Sequence, residues 1–167
     1  MKPAPLVVVL LPLLFGGCGK KEEPLGYDIQ GDTVTITGCD EDASGKLVIP
    51  ALIEGKPVTS IGDLAFDYCR RLTSITIPEG VTSIGFGAFF DCRSLTSITI
   101  GDSVTSIGNA AFAKCIRLSA VTFLGDAPKA GEEVFKGATP TIYRKPEAKG
   151  WTDTFSGRPV KLISEKP

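Results

Sequence analysis

The residues most able to do chemistry in this chain of 167 residues are five cysteines. Cys69, Cys92 and Cys115 recur every 23 residues, and the next position in that series is Ala138. Zinc would want paired ligands, and these thiols are spread one per interval. Replacement by alanine points instead to a small buried apolar slot, which a free cysteine fills well. There is no histidine, which removes both an imidazole base and a His-ligated metal. No nucleophile–base pair and no glycine-rich phosphate loop is visible. Asp40, Glu41 and Asp42 read as a charged turn. The chain is therefore expected to be no enzyme and to carry no cofactor and no metal. Its formal net charge of −1 gives no field directed at nucleic acid.

What must position these residues is a repeat. Leu72 to Ser94 reads LTSITIPEGVTSIGFGAFFDCRS and Leu95 to Arg117 reads LTSITIGDSVTSIGNAAFAKCIR, with 14 of 23 positions identical. A fixed period of this size is the signature of a stacked-coil solenoid. No coil can bury its apolar face alone, so each uses its neighbour as the other half of a core. The predicted fold class is a β-rich solenoid of about 23 residues per coil, made of strands plus short helical or 3-10 turns.

The apolar positions form columns. Leu72, Leu95 and Leu118 make one, Ile75, Ile98 and Val121 a second, and Ile77, Ile100 and Phe123 a third. Ile61, Ile84 and Ile107 match, and Phe66, Phe89, Phe112 and Phe135 make the most regular column. The AFxxC phrase has a helix-like spacing. Gly62, Gly85, Gly108 and Gly131 recur beside it, where a turn would need a permissive backbone. Tyr27 to Gly38 alternates around Gly31-Asp32 and reads as a hairpin capping the first coil. Trp151 and Phe155 are suited to cover the last one. Cys39 lies outside the series. A rung spacing of about 4.8 Å lies within the Cα range of a disulfide, so a Cys39–Cys69 bridge from cap to first coil stays open.

Three surfaces are candidates for partner binding. Ser74, Thr76, Ser97, Thr99 and Thr122 should line the outer face of the main sheet as a row of small hydroxyls. Phe86 and Phe90 stand in slots that are mostly polar in the other blocks. They are four residues apart, which on a helical turn would place them on one side; an exposed aromatic pair is a hot-spot candidate. Arg70, Arg71, Arg93 and Arg117 follow the AFxxC turns and would make a basic edge, or simply suit the ends of helical turns.

Residues 1–17 combine Lys2, an apolar run from Leu6 to Phe15 and two glycines, which reads as a signal peptide. The run is shorter than the ~20 residues needed to span a bilayer. The phrase LLFGGC resembles the lipobox of bacterial lipoproteins, which implies lipid attachment at Cys18 and membrane contact through that anchor. Residues 18–26 then form a tether, 27–49 the N-terminal hairpin cap and first strand, 50–140 the coils (72–94, 95–117 and 118–140 being regular), and 141–167 a C-terminal cap and tail.

The phrases IGxxAFxxC and IPxxVTSIG resemble the leucine-rich repeat of BspA-like bacterial surface proteins. GKLVIPALIEGKPVTSIG and KGWTDTFSGRP resemble that group's first and closing segments. The likeness implies an exported, lipid-anchored protein of the cell envelope, at the outer membrane or cell surface. It implies binding of a protein or glycan there, as in adhesion; a scaffolding role without an external ligand is the alternative.

Overall fold

A computed structural model describes residues 24–166. The signal-peptide reading and Cys18 lie outside the described residues. The fold is a β-solenoid of about five turns and about 23 residues per coil.

The chain begins with a hairpin, β1 (Leu25–Gln30) and β2 (Thr33–Cys39), which turns at Gly31, a residue with φ of 60°. Gln30 faces Thr33 across that turn. β3 (Ser44–Val48) follows. A second small hairpin joins β4 (Leu52–Ile53) to β5 (Lys56–Ile61), and it absorbs the residues that separate the first coil from the regular period. Each later coil contributes one strand to each of two sheets: β6 (Arg71–Ile77) and β7 (Ser83–Ile84), β8 (Ser97–Ile100) and β9 (Ser106–Ile107), then β10 (Ala120–Phe123) and β11 (Lys129–Ala130). The cap adds β12 (Thr141–Arg144), β13 (Thr154–Phe155) and β14 (Arg158–Leu162).

The first sheet runs β1-β2-β5-β7-β9-β11 with β4 on its flank, and the second runs β13-β14-β12-β10-β8-β6-β3. Pairing between coils is parallel and in register with the period: Ile75 faces Ile98, and Val121 faces Ile98 from the other side. Inward-pointing side chains therefore stack on their own equivalents. Phe66 stacks on Phe89 at 4.9 Å, Phe89 on Phe112 at 5.2 Å and Phe112 on Phe135 at 5.5 Å, with ring planes within 15° of parallel. All four rings are buried. The core ends on a triangle of Phe123, Trp151 and Phe155, with centroids 5.0 to 5.6 Å apart.

The third side of each coil is a turn column, and it is not helical. A 3-10 turn at Ile163–Glu165 is the sole helical element among the described residues. Each AFxxC turn instead uses two left-handed residues. One series is Leu64, Gly87, Ala110 and Glu133; the other is Tyr68, Asp91, Lys114 and Gly137. The recurring Gly62, Gly85, Gly108 and Gly131 are not left-handed. They are needed because a Cβ there would strike the preceding turn of chain: at Gly85 it would lie 2.6 Å from the Asp63 nitrogen, and at Gly108 2.6 Å from the Phe86 nitrogen.

The cysteine column occupies the buried slots expected of it. Cys92 donates its S–H to the Phe66 carbonyl at 3.1 Å, and Cys115 donates to the Phe89 carbonyl at 3.0 Å. Cys39, Cys69, Cys92 and Cys115 are all free thiols, so the Cys39–Cys69 bridge is not formed. Cys69 is within 3.9 Å of the Cys39 and Asp40 carbonyls. Its hydrogen bond with Cys39, followed by burial, pushes its thiol pKa up, whereas the same bond pulls that of Cys39 down.

Candidate functional site

The turn column carries the candidate site because its backbone is spent on joining coils. Leu64 N donates to the Phe86 carbonyl at 2.9 Å, and Tyr68 N donates to the Phe90 carbonyl at 2.9 Å. These bonds set the first and second coils side by side, so their outward side chains share one edge. The Leu64 side chain lies over Gly87, where an added Cβ would be 2.8 Å from Leu64 Cδ2 and 3.7 Å from Phe90 Cβ. Phe90 meets the Tyr68 ring edge-on at 6.0 Å. Lys114 sits 4.8 Å over the Phe90 ring and Arg70 4.9 Å over the Tyr68 ring.

Phe86 and Phe90 part company here. Phe86 is 51% exposed and sits beside the Leu64 backbone. Phe90 is half-buried between Tyr68 and Lys114. The helical spacing that would pair them is absent, because Gly87 between them is left-handed with φ of 54°. Leu64 and Tyr68, each 43% exposed, complete the patch instead.

Phe86 also breaks a ladder. In its slot on the first coil, Asp63 Oδ1 accepts the Phe86 N–H at 2.7 Å. On the third coil, Asn109 Oδ1 accepts the Glu132 N–H at 2.9 Å. A phenyl ring has no acceptor, so Phe86 cannot do the same for Asn109. The polar character of this slot was legible in the sequence, but it serves the joint between coils as well as solvent contact.

The arginines do not form a free basic edge. Arg70 Nε and Nη2 both bind Asp91 Oδ2, the former at 2.8 Å. Arg93 Nε binds Asp91 Oδ1 at 2.8 Å. Arg71 pairs with Asp42 at 3.0 Å. Arg117 is exposed and has no ion pair among the described residues. Asp91 is the residue that sequence reasoning missed. Its slot holds Tyr68, Lys114 and Gly137 in the other coils, so no column announced it.

Asp91 is 1% exposed. Burial pushes its carboxyl up, but the hydrogen bonds and charges of Arg93 and Arg70 outweigh this and hold it below the usual carboxylate range. A depressed folded-state pKa adds stability above the unfolded value and loses it as pH falls through the folded one. Asp91→Asn is expected to lower stability by about 1–2 kcal/mol at pH 7, since both arginines are half exposed and can rehydrate. The gap between wild type and variant should narrow below about pH 3.9. Urea titrations at pH 7, 5 and 3 check this; a gap independent of pH would show that the clamp contributes nothing electrostatic.

The hydroxyl row is graded rather than uniformly exposed. Thr76 is exposed, and Ser74, Ser97 and Thr99 are half-buried. Thr122 is corrected from an outward binding position to a buried one, at 3% exposure. The C-terminal segment reaches it: Lys166 Nζ donates to Thr122 Oγ1 at 3.1 Å and lies 5.7 Å over the Tyr143 ring.

A stacked-coil solenoid with a side-chain edge built on its turns is the class that this geometry defines. The profile of the BspA type leucine rich repeat region matches residues 49–144 in six copies, and the chain belongs to that family. A leucine-rich repeat protein from Bacteroides capillosus is 31% identical, with a TM-score of 0.63 over 73% of this chain and 94% of that one. A leucine-rich repeat protein from Bacteroides ovatus is 31% identical, with a TM-score of 0.62 over 84% of this chain and 36% of that one. A leucine rich cell surface protein from Faecalibacterium prausnitzii is 27% identical, with a TM-score of 0.60 over 89% of this chain and 43% of that one. Among curated proteins no sequence matches.

Proposed function

We propose that this chain is a binding module of the bacterial cell surface, lipid-anchored through Cys18, and that it engages a protein partner with the edge formed by Leu64, Tyr68, Phe86 and Phe90. Membership of the repeat family and similarity to a cell surface protein support the location; the LLFGGC phrase supports the anchor. The observation that carries the binding reading is Phe86. It forgoes a joint between coils and leaves a large apolar side chain in water. Both cost stability, and residues of this kind are retained where a partner covers them. Arg70 and Lys114 at the rim suit the polar border of a protein interface.

Phe86→Asn tests the reading. Asn offers the missing acceptor to the next coil, so the variant is expected to gain about 0.5–1.5 kcal/mol in stability. It should also weaken capture of the partner by about tenfold or more, as loss of an aromatic hot spot does. The assay is photo-crosslinking on intact cells that display the domain, with added protease reporting surface exposure and a Cys18→Ser strain reporting membrane retention. A stabilised Phe86→Asn variant with an unchanged crosslinking pattern would remove the binding assignment. Protection of the domain until cells are broken would favour the scaffolding alternative.

A further inference from the structure

The geometry points to a carboxylate-binding site at the C-terminal open end of the turn column. It is separate from the aromatic edge on the first two coils. At every junction between coils the turn column forms three backbone bonds, and all run in one direction. Leu64, Phe66 and Tyr68 donate to Phe86, Ala88 and Phe90; Gly87, Phe89 and Asp91 donate to Asn109, Ala111 and Ala113; Ala110, Phe112 and Lys114 donate to Glu132, Val134 and Lys136. The last coil presents the same three N–H groups, on Glu133, Phe135 and Gly137. Among the described residues none of them has an acceptor. The cap continues the second sheet through β12 and β14, whereas the first sheet stops at β11. No further coil therefore meets the turn column.

An ordinary strand edge alternates donors and acceptors. This edge offers donors alone, because Glu133 (φ 56°) and Gly137 (φ 74°) are left-handed. Successive N–H groups turned to one side make a concavity for an anion. A cavity of about 280 Å³ lies there, lined by Glu133, Phe135, Lys136, Ser156 and Arg158 among others. Glu133 and Lys136 neutralise each other at 2.8 Å. Arg158 has no ion pair among the described residues, and its Nε is buried without a partner.

One uncompensated cation calls for one negative charge. A planar guanidinium matches a carboxylate in shape, and bidentate pairing adds to the attraction. A phosphate dianion would bring more charge than the site can balance. The Val134 and Phe135 side chains are buried in the core, so the cavity wall beside the charge is largely polar and suits the main chain of a peptide. The ligand is a carboxylate carried by a peptide, either its C-terminus or an acidic side chain.

Amide spectra of the folded domain test this with defined probes. These are an acetylated triglycine with a free C-terminus, acetyl-Gly-Asp-Gly-amide, acetylated triglycine amide, and inorganic phosphate. Saturable shifts at the Glu133, Phe135 and Gly137 amides are expected with at least one carboxylate peptide, and the two carboxylate arms distinguish terminus from side chain. Arg158→Gln should weaken binding by about tenfold or more. Arg144→Gln, whose side chain bonds to the Lys145 and Pro146 carbonyls, should leave it unchanged. No shift with either carboxylate, an equal shift with the neutral peptide, or tighter binding of phosphate would overturn the proposal. So would shifts of these amides on simple dilution of the protein, which would make a second copy the occupant. The arms with unsubstituted protein decide the matter even if Arg158→Gln fails to fold.

Discussion

Phe112→Ala is expected to cost about 3–5 kcal/mol of unfolding free energy. Phe112 is fully buried and lies between two parallel rings, Phe89 at 5.2 Å and Phe135 at 5.5 Å. Truncation removes both contacts and leaves a cavity that the flanking coils cannot close. Their separation is held by the backbone bonds of Phe89 to Ala111 at 2.8 Å and of Phe112 to Val134 at 2.9 Å. Domains of this size are stable by only about 5–15 kcal/mol, so the variant should sit near the edge of folding at 37 °C. Phe135→Ala should cost less, since Phe135 stacks on one ring of the column and not two. Urea unfolding followed by circular dichroism measures both. A Phe112→Ala loss under about 1 kcal/mol would mean that the rings do not share a load-carrying interior.

Gly108→Ala should be nearly as damaging, at about 2–3 kcal/mol or more. The added Cβ would lie 2.6 Å from the carbonyl carbon of Gly85 and 2.8 Å from its oxygen. These are backbone atoms of the preceding coil, so no rotamer change relieves the overlap. The coils would have to part, and the bond from Gly108 N to the Ile84 carbonyl at 2.8 Å would stretch. Two residues along the chain the sign reverses. Ala110 is left-handed with φ of 54°, a conformation that disfavours an L residue by about 1–2 kcal/mol, against about 0.5–1 kcal/mol of extra chain entropy lost by glycine. Ala110→Gly is therefore expected to be neutral or to stabilise by up to about 1 kcal/mol. If both substitutions destabilised equally, close approach of the coils would not be what requires the glycine column.

The period of 23 decided the architecture by itself. A residue repeated once per coil must meet its own copy, so the columns of leucine, isoleucine and phenylalanine could be assigned to the interior without coordinates. Phe86 was legible for the same reason: its neighbours in the column are Asp63, Asn109 and Glu132, and it departs from them. The features that only the tertiary structure decided are those that depend on which backbone lies next to which. The AFxxC spacing suggested a helical turn, yet left-handed residues make a tighter corner that sends three N–H groups to the next coil. The glycine column looked like a backbone requirement and is a requirement of space.

Asp91 gathers Arg70 from the coil before it and Arg93 from its own, a contact that no column records. Thr122 was assigned outward from its alternation in the strand. It is buried between the neighbouring strands and hydrogen-bonded by Lys166, 44 residues further on, and strand periodicity carries no information about a segment that folds back from so far away. Repetition along the chain therefore determined what lies inside each coil. The surface was settled by contacts between dissimilar segments, because hydrogen-bond direction and steric room exist only once the coils are stacked.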